Sequence, residues 1–279
     1  MRYGLLADIH GNLEALRAVV ALLQAEAVDG YLCAGDVVGY GAQPNECIRL
    51  LAELDAVCVA GNHDLIALGR MDAARAGRLA RRSLTWTREA LEPAAWSFLA
   101  ALPLDVEVAG GIVLTHGAIG DPEARVRRPG AARRALAALA SSRPAARVLV
   151  AGNTHHVLTL DDRGLPPVER ADGSLALDPA RRHLVNPGGV GQSREIRPVA
   201  RGAVIDTDRW WVRLVAVDYD VAAARRALAG AGLPAGSFYR PDRGRWFGLR
   251  RSPSRAGARI ARLIRPAQDD PRDHRPGRT

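Results

Sequence analysis

Lysine is absent from the 279 residues, so all 39 basic side chains are arginine. A Walker-type phosphate loop needs its lysine, and Schiff-base or pyridoxal chemistry needs an amine nucleophile, so both classes are excluded. Cysteine is scarce. Cys33, Cys47 and Cys58 show no metal-ligand spacing, and Cys33 and Cys58 sit in apolar, strand-like runs, so all three read as reduced core residues. Aromatic residues make up 5% of a chain that is 48% hydrophobic, which points to an aliphatic core. No apolar run approaches the roughly 18 residues of a membrane span, and Asp8 and His10 come too early for a signal-peptide core. No transmembrane segment and a cytoplasmic location are expected.

The formal charge of +9 is unevenly spread. Residues 240–279 hold 12 Arg against 4 Asp, or +8, leaving 27 Arg against 26 acidic residues, or +1, for residues 1–239. The division expected is a catalytic body over residues 1–238 and a flexible Arg/Pro-rich tail over 239–279. Within the tail, residues 254–264 space Ile260, Leu263 and Ile264 among arginines, the pattern of a short basic helix that would dock on RNA, on an anionic membrane or on the protein's own body; a solvated tail is the simpler reading. Oligomeric state is not encoded in any pattern found.

What is present is a set of five short polar segments, each closing an apolar run: Asp8-Ile9-His10-Gly11-Asn12, Gly35-Asp36, Gly61-Asn62-His63-Asp64, Thr115-His116-Gly117 and Gly152-Asn153-Thr154-His155-His156. Five of the seven histidines fall inside them; His183 and His274 lie outside and read as structural or solvated. Carboxylate, amide and imidazole donors without thiolate suit divalent Mn, Fe, Ni or Zn. The chain reads as a two-metal hydrolase.

Apolar periodicity supplies the frame. Strands are expected at residues 3–7, 30–34 and 56–60, with helices at 13–25 and 44–54 between them, a β-α-β-α-β start with a partly parallel sheet. Residues 72–102 are helical in composition, broken at Glu92-Pro93, and 104–108 pairs with 112–115 as a hairpin over Gly110-Gly111. A helix at 133–140, strands near 147–151, 157–160, 183–185, 202–206 and 210–217, and a helix at 221–228 complete the body. The architecture expected is α/β in four layers: two packed mixed sheets flanked by helices, with the metal site at loops following the strands' carboxyl ends. Trp86, Trp96, Trp210 and Trp211 read as core or sheet-face residues.

In order and spacing, the five segments, with Gly35-Asp36 extended through Val37-Val38-Gly39-Tyr40-Gly41, resemble the blocks of the calcineurin-like metallophosphoesterases. Asn186-Pro187-Gly188-Gly189-Val190-Gly191-Gln192-Ser193-Arg194 and Tyr219-Asp220 are further similar to a small prokaryotic branch of phosphodiesterases and diadenosine-tetraphosphatase-like proteins. The resemblance covers roughly residues 1–235. It implies two divalent ions, manganese among the candidates: one held by Asp8, His10 and His155, the other by Asn62 and His116, with Asp36 bridging. It also implies a shared hydroxide attacking a phosphoryl group, with His63 stabilising charge or protonating the leaving oxygen and Asp64 orienting its ring. Asn12, Gly117 and Arg194 are candidate substrate contacts. Arg125, Arg127 and Arg128 could also meet a second phosphate, although a solvated role is the simpler reading.

One position departs from the family pattern. The last block usually reads Gly-His-x-His, and its first His is here Asn153, so Asn153 enters as an amide-oxygen ligand in place of an imidazole. Three functions follow: a phosphodiesterase acting on small phosphoesters, nucleotides included; a symmetric dinucleoside-polyphosphate hydrolase; and a metal-binding scaffold or protein-interaction module weakened in catalysis at Asn153.

Overall fold

The computed structural model describes residues 1–241. β1 (Arg2–Leu6), α1 (Leu13–Ala25), β2 (Gly30–Cys33), α2 (Pro44–Glu53) and β3 (Val57–Cys58) form the expected parallel start, in which β2 lies between β1 and β3. α1 has Asn12 as its N-cap, accepting from the Ala15 amide at 3.2 Å, and buries Leu13, Leu16, Val19, Val20 and Leu23 at helical spacing. α2 starts on Pro44, whose missing N–H costs nothing at a first turn.

A helix not expected from the sequence, α3 (Asn62–Ala67), follows directly, and α4 (Arg78–Ala90) and α5 (Pro93–Ala101) flank the Glu92-Pro93 break. β4 (Asp105–Val108) and β5 (Ile112–Thr115) pair antiparallel as the hairpin expected. α6 (Pro129–Ser142), β6 (Val148–Val150) and β7 (Val157–Asp161) come next, then two short strands missed by periodicity, β8 (Val168–Glu169) and β9 (Leu175–Ala176). β10 (His183–Pro187), β11 (Ala200–Asp206), β12 (Trp211–Val217) and α7 (Val221–Gly230) complete the body.

Two mixed sheets result. One has the order β3-β2-β1-β11-β12-β9-β8, the other β4-β5-β6-β10-β7. Between them lies an aliphatic core containing Leu5, Leu32, Ile112, Leu114, Val148, Val150, Val185 and Ile205. α1, α2 and α5 cover the outer face of the first sheet, and α6 covers the second through Ala132, Leu136 and Leu139. The four layers are those expected. Trp211 is buried on the sheet with the guanidinium groups of Arg2 and Arg213 over its ring, at 5.6 and 5.3 Å from the centroid. All three cysteines are free and buried.

The body runs slightly further than the boundary at residue 238. Tyr239 bridges to Ser193, and the Arg240 amide donates to the Ser193 carbonyl at 3.0 Å. The helix expected at residues 254–264, and His274, lie outside the described residues. No helix among the described residues is long and apolar enough to cross a membrane.

Candidate metal centre

Parallel strands β1, β2 and β3 end side by side, so the loops after them meet. The Asp8 amide donates to the Gly35 carbonyl at 3.0 Å, and the His10 amide to the Asp36 carbonyl at 2.9 Å. β5 and β6, in the second sheet, deliver His116 and the segment from residue 152 to the same place, with the Gly152 amide on the His116 carbonyl at 2.8 Å. Asp8, His10, Asp36, His63, His116 and His155 are all buried there.

Their ligand-type atoms fall into three overlapping groups, each within 4.8 Å: Asp8, His10 and His155; His10, Asp36 and His63; Asp8, Asp36 and His116. Asp36 is the hub. Its Oδ2 lies 3.7 Å from His10 Nε2 and 3.4 Å from His116 Nε2, while its Oδ1 accepts from the His63 amide at 2.8 Å. Asn62 Oδ1 is 3.2 Å from His116 Nε2.

Three imidazoles are oriented by backbone carbonyls. Nδ1 of His10, His116 and His155 meets the carbonyls of Val38, Ala34 and Gln192 at 3.1, 2.6 and 2.9 Å. A carbonyl only accepts, so each Nδ1 carries a proton; Nε2 of His10 and His155 turns a lone pair inward, while Nε2 of His116 faces the Asp36 carboxylate and Asn62 Oδ1. The consequence is a meeting of acceptors: His10 Nε2 faces His155 Nε2 at 3.3 Å, and Asp8 Oδ2 is buried without a hydrogen-bond partner. Such a set of donor atoms fits divalent cations with oxygen and imidazole preference.

The electrostatics agree. Burial, reinforced by Asp36, pushes Asp8 up to about 7, although His116 pulls the other way. Burial also opposes charge on Asp36, but His116, His63 and His10 hold it well below the usual carboxylate range. Burial works against a charged His116 too, yet Asp36 raises it to about 9. Burial and His63 lower His10 to about 3. The proton that His116 takes beside Asp36 stands where a cation would otherwise balance the carboxylate, so metal binding should release it.

The backbone is strained at the same residues. Asp8, His10, Asp36, Asn153 and His155 have φ of 53°, 51°, 54°, 64° and 60°, the left-handed region. Asp8 and His10 both lie past the end of β1, and each turns through a left-handed residue.

Other expected residues are placed differently. Asp64 does not bond the His63 ring; its Oδ1 accepts from the Val38 amide at 3.0 Å and its Oδ2 from the Gly61 amide at 2.9 Å. The reason is α3: Asp64 is its third residue and reaches back to the free amide at the helix start. Asn12 has its carboxamide engaged on Ala15, Gly191 and Tyr219, which leaves a structural role. A Cβ on Gly117 would lie 2.5 Å from the Asp121 carbonyl, so this glycine serves close packing of the 117–124 loop. Asn153 donates its side-chain amide to the carbonyls of Pro122 and Ala124, at 3.2 and 3.1 Å, and its backbone amide to Asp8 Oδ1 at 3.1 Å. His183 is structural, its Nε2 lying 3.1 Å from the Asp178 amide and 2.9 Å from the Asp178 carbonyl.

Two residues at the site stand inside the motifs quoted above but were given no role there. Tyr40, at φ 59°, sets its ring 4.8 Å from the rings of both His10 and His63. The Gln192 carbonyl orients His155. Tyr40 lies between two glycines in an apolar stretch, a signal of a tight turn that could have drawn attention to it.

A family model described as calcineurin-like phosphoesterase matches residues 1–190. A metallophosphoesterase from Sphaerobacter thermophilus, of known crystal structure, is 31% identical with a TM-score of 0.70, over 85% of this chain and 97% of that one. An uncharacterized protein of Methanocaldococcus jannaschii is 29% identical over 233 residues, 82% of this chain and 92% of the relative. A hypothetical protein from Pyrococcus horikoshii shares the fold, with a TM-score of 0.68 at 19% identity over 85% of this chain and 96% of its own.

Proposed function

The chain belongs to the calcineurin-like phosphoesterase family, a phosphohydrolase family, and from that premise we propose that it is a phosphodiesterase using two divalent ions on small phosphodiesters. The observation carrying this reading is Asp36, one buried carboxylate within 4 Å of imidazoles from two ligand groups. Asp8, His10 and His155 would hold one ion, Asn62 and His116 the other, and Asp36 both. When bound, such ions supply Lewis acidity toward phosphoryl oxygens and lower the pKa of water.

The chain's own residues do the rest. Backbone carbonyls of Ala34, Val38 and Gln192 hold the Nδ1 proton of three imidazoles and so aim each Nε2 at the cluster, that of His116 becoming a ligand atom once its proton is released. His63 shares its cluster with His10 and Asp36, and burial lowers its pKa, so it stands as a neutral imidazole able to donate an N–H to a phosphoryl or leaving-group oxygen. Asp64 fixes His63 indirectly, by tying the Gly61 and Val38 amides together.

Hydrolysis of bis(p-nitrophenyl) phosphate by chelator-stripped protein, with Mn, Ni, Zn, Fe or Mg restored, tests the reading. Turnover should return with a transition metal and fall by at least about a thousandfold in Asp36→Asn, corresponding to roughly 4 kcal/mol. No turnover with any ion would instead favour the binding-scaffold reading that Asn153 suggests.

A further inference from the structure

The segment after β10 runs along the cluster and then into the end of the body. The Gly191 amide donates to the Asp8 carbonyl at 2.9 Å, the Gln192 carbonyl accepts from His155, and Ser193 exchanges backbone bonds with Phe238 and Arg240 at 3.1 and 3.0 Å. Arg194 and Arg240 therefore flank the same serine, two steps from a carbonyl that orients a metal ligand. Tyr40 stands beside them, its ring on His10 and His63 and its hydroxyl within reach of the Arg240 charge.

Arg194 is the unusual member. It is only partly exposed, its Nε is buried without a hydrogen-bond partner, and among the described residues no carboxylate forms an ion pair with it. Arg240, joined to Ser193 through the backbone, opposes its charge. Arg194 is half-buried and Arg240 is exposed beside it; a half-buried guanidinium with an unpartnered nitrogen and a like charge nearby is costly unless an anion completes it, and guanidinium forks suit phosphate oxygens.

We propose that Arg194 and Arg240, with the Tyr40 hydroxyl, form a second anion subsite beside the metal centre, holding an additional phosphate or pyrophosphate of a phosphodiester substrate. The substrate class narrows accordingly: a diester carrying a second anionic group is preferred over one flanked by neutral groups. This inference rests on the phosphodiesterase reading above, and its tests separate the two.

The first test compares kcat/KM for the p-nitrophenyl ester of thymidine 5′-phosphate with the same ester bearing a 3′-phosphate. Wild type should favour the doubly charged ester by about tenfold or more, as expected for charge-assisted hydrogen bonds. Arg194→Ala should bring the ratio to near parity, and Arg194→Lys should restore part of it. A ratio near one in wild type, or one unchanged in Arg194→Ala, overturns the subsite.

If neither ester is turned over, the phosphodiesterase reading has failed, and calorimetry on the metal-loaded full chain decides the subsite. Wild type should bind inorganic pyrophosphate more tightly than orthophosphate, and Arg194→Ala should lose that preference. Equal preference in the two proteins overturns the proposal.

Discussion

Asp8, His10, Asp36, Asn153 and His155 each hold a left-handed backbone that costs an L-residue roughly 1–2 kcal/mol. That cost is concentrated where the acceptor atoms converge, as expected where surrounding structure over-determines a site for function. The candidate ligands stand out as residue types, because Asp, Asn and His gather at strand ends. Their geometry does not, because Asp8, His10, Asp36 and His155 sit past strand ends on left-handed turns that no residue pattern announces. Two substitutions test the positioning. A Cβ on Gly61 would lie 2.2 Å from Asp36 Oδ1, so Gly61→Ala should lower stability by about 1–3 kcal/mol and weaken metal binding, measured by urea unfolding and metal titration. Asn153→Ala removes two hydrogen bonds to Pro122 and Ala124 and should cost the chelated protein about 2 kcal/mol. Wild-type stability in that variant would show that Asn153 does not brace the loop.

Among the elements, α1, α2 and the β4–β5 hairpin were readable because a cap, a proline or a glycine pair stands beside a clear periodicity. α3 was not, since its six residues begin inside the motif Gly61-Asn62-His63-Asp64 and bury His63 and Asp64, polar residues that periodicity does not score. β8 and β9, of two residues each, are too short for any period. The placement of β11 beside β1 depends on pairing across about two hundred residues, information that no local window holds. One element end carries a pH signature. Burial opposes charge on Asp161 at the end of β7, but the amides of Leu165 and Arg163 and the Arg163 guanidinium outweigh it and depress its pKa. A depressed carboxylate stabilises the fold above its unfolded pKa, and that stability is lost as pH falls through the folded value. Asp161→Ala should therefore destabilise at pH 7 and much less near pH 3 in denaturant titrations. An equal penalty at both would remove the carboxylate's charge from the explanation.

On the scale of the molecule, two sheets from distant parts of the chain bring their strand ends to one buried cluster, in a chain that belongs to a phosphoesterase family. The body over residues 1–239 is close to neutral, so the arginines that matter act by position near the cluster and not by bulk charge. Ions that bind only the folded chain should raise its melting temperature, by an amount corresponding to about 2.7 kcal/mol at a hundredfold excess over Kd. Calorimetric scans of chelated and reloaded protein would show this as an upshift that grows with metal concentration. The central claim is that Asp36 joins two metal sites, and elemental analysis of chelator-stripped, reloaded and desalted protein tests it most directly. Wild type should retain about two ions per chain and Asp36→Asn fewer than one. A single ion in wild type, or a stoichiometry unchanged by Asp36→Asn, would contradict the account.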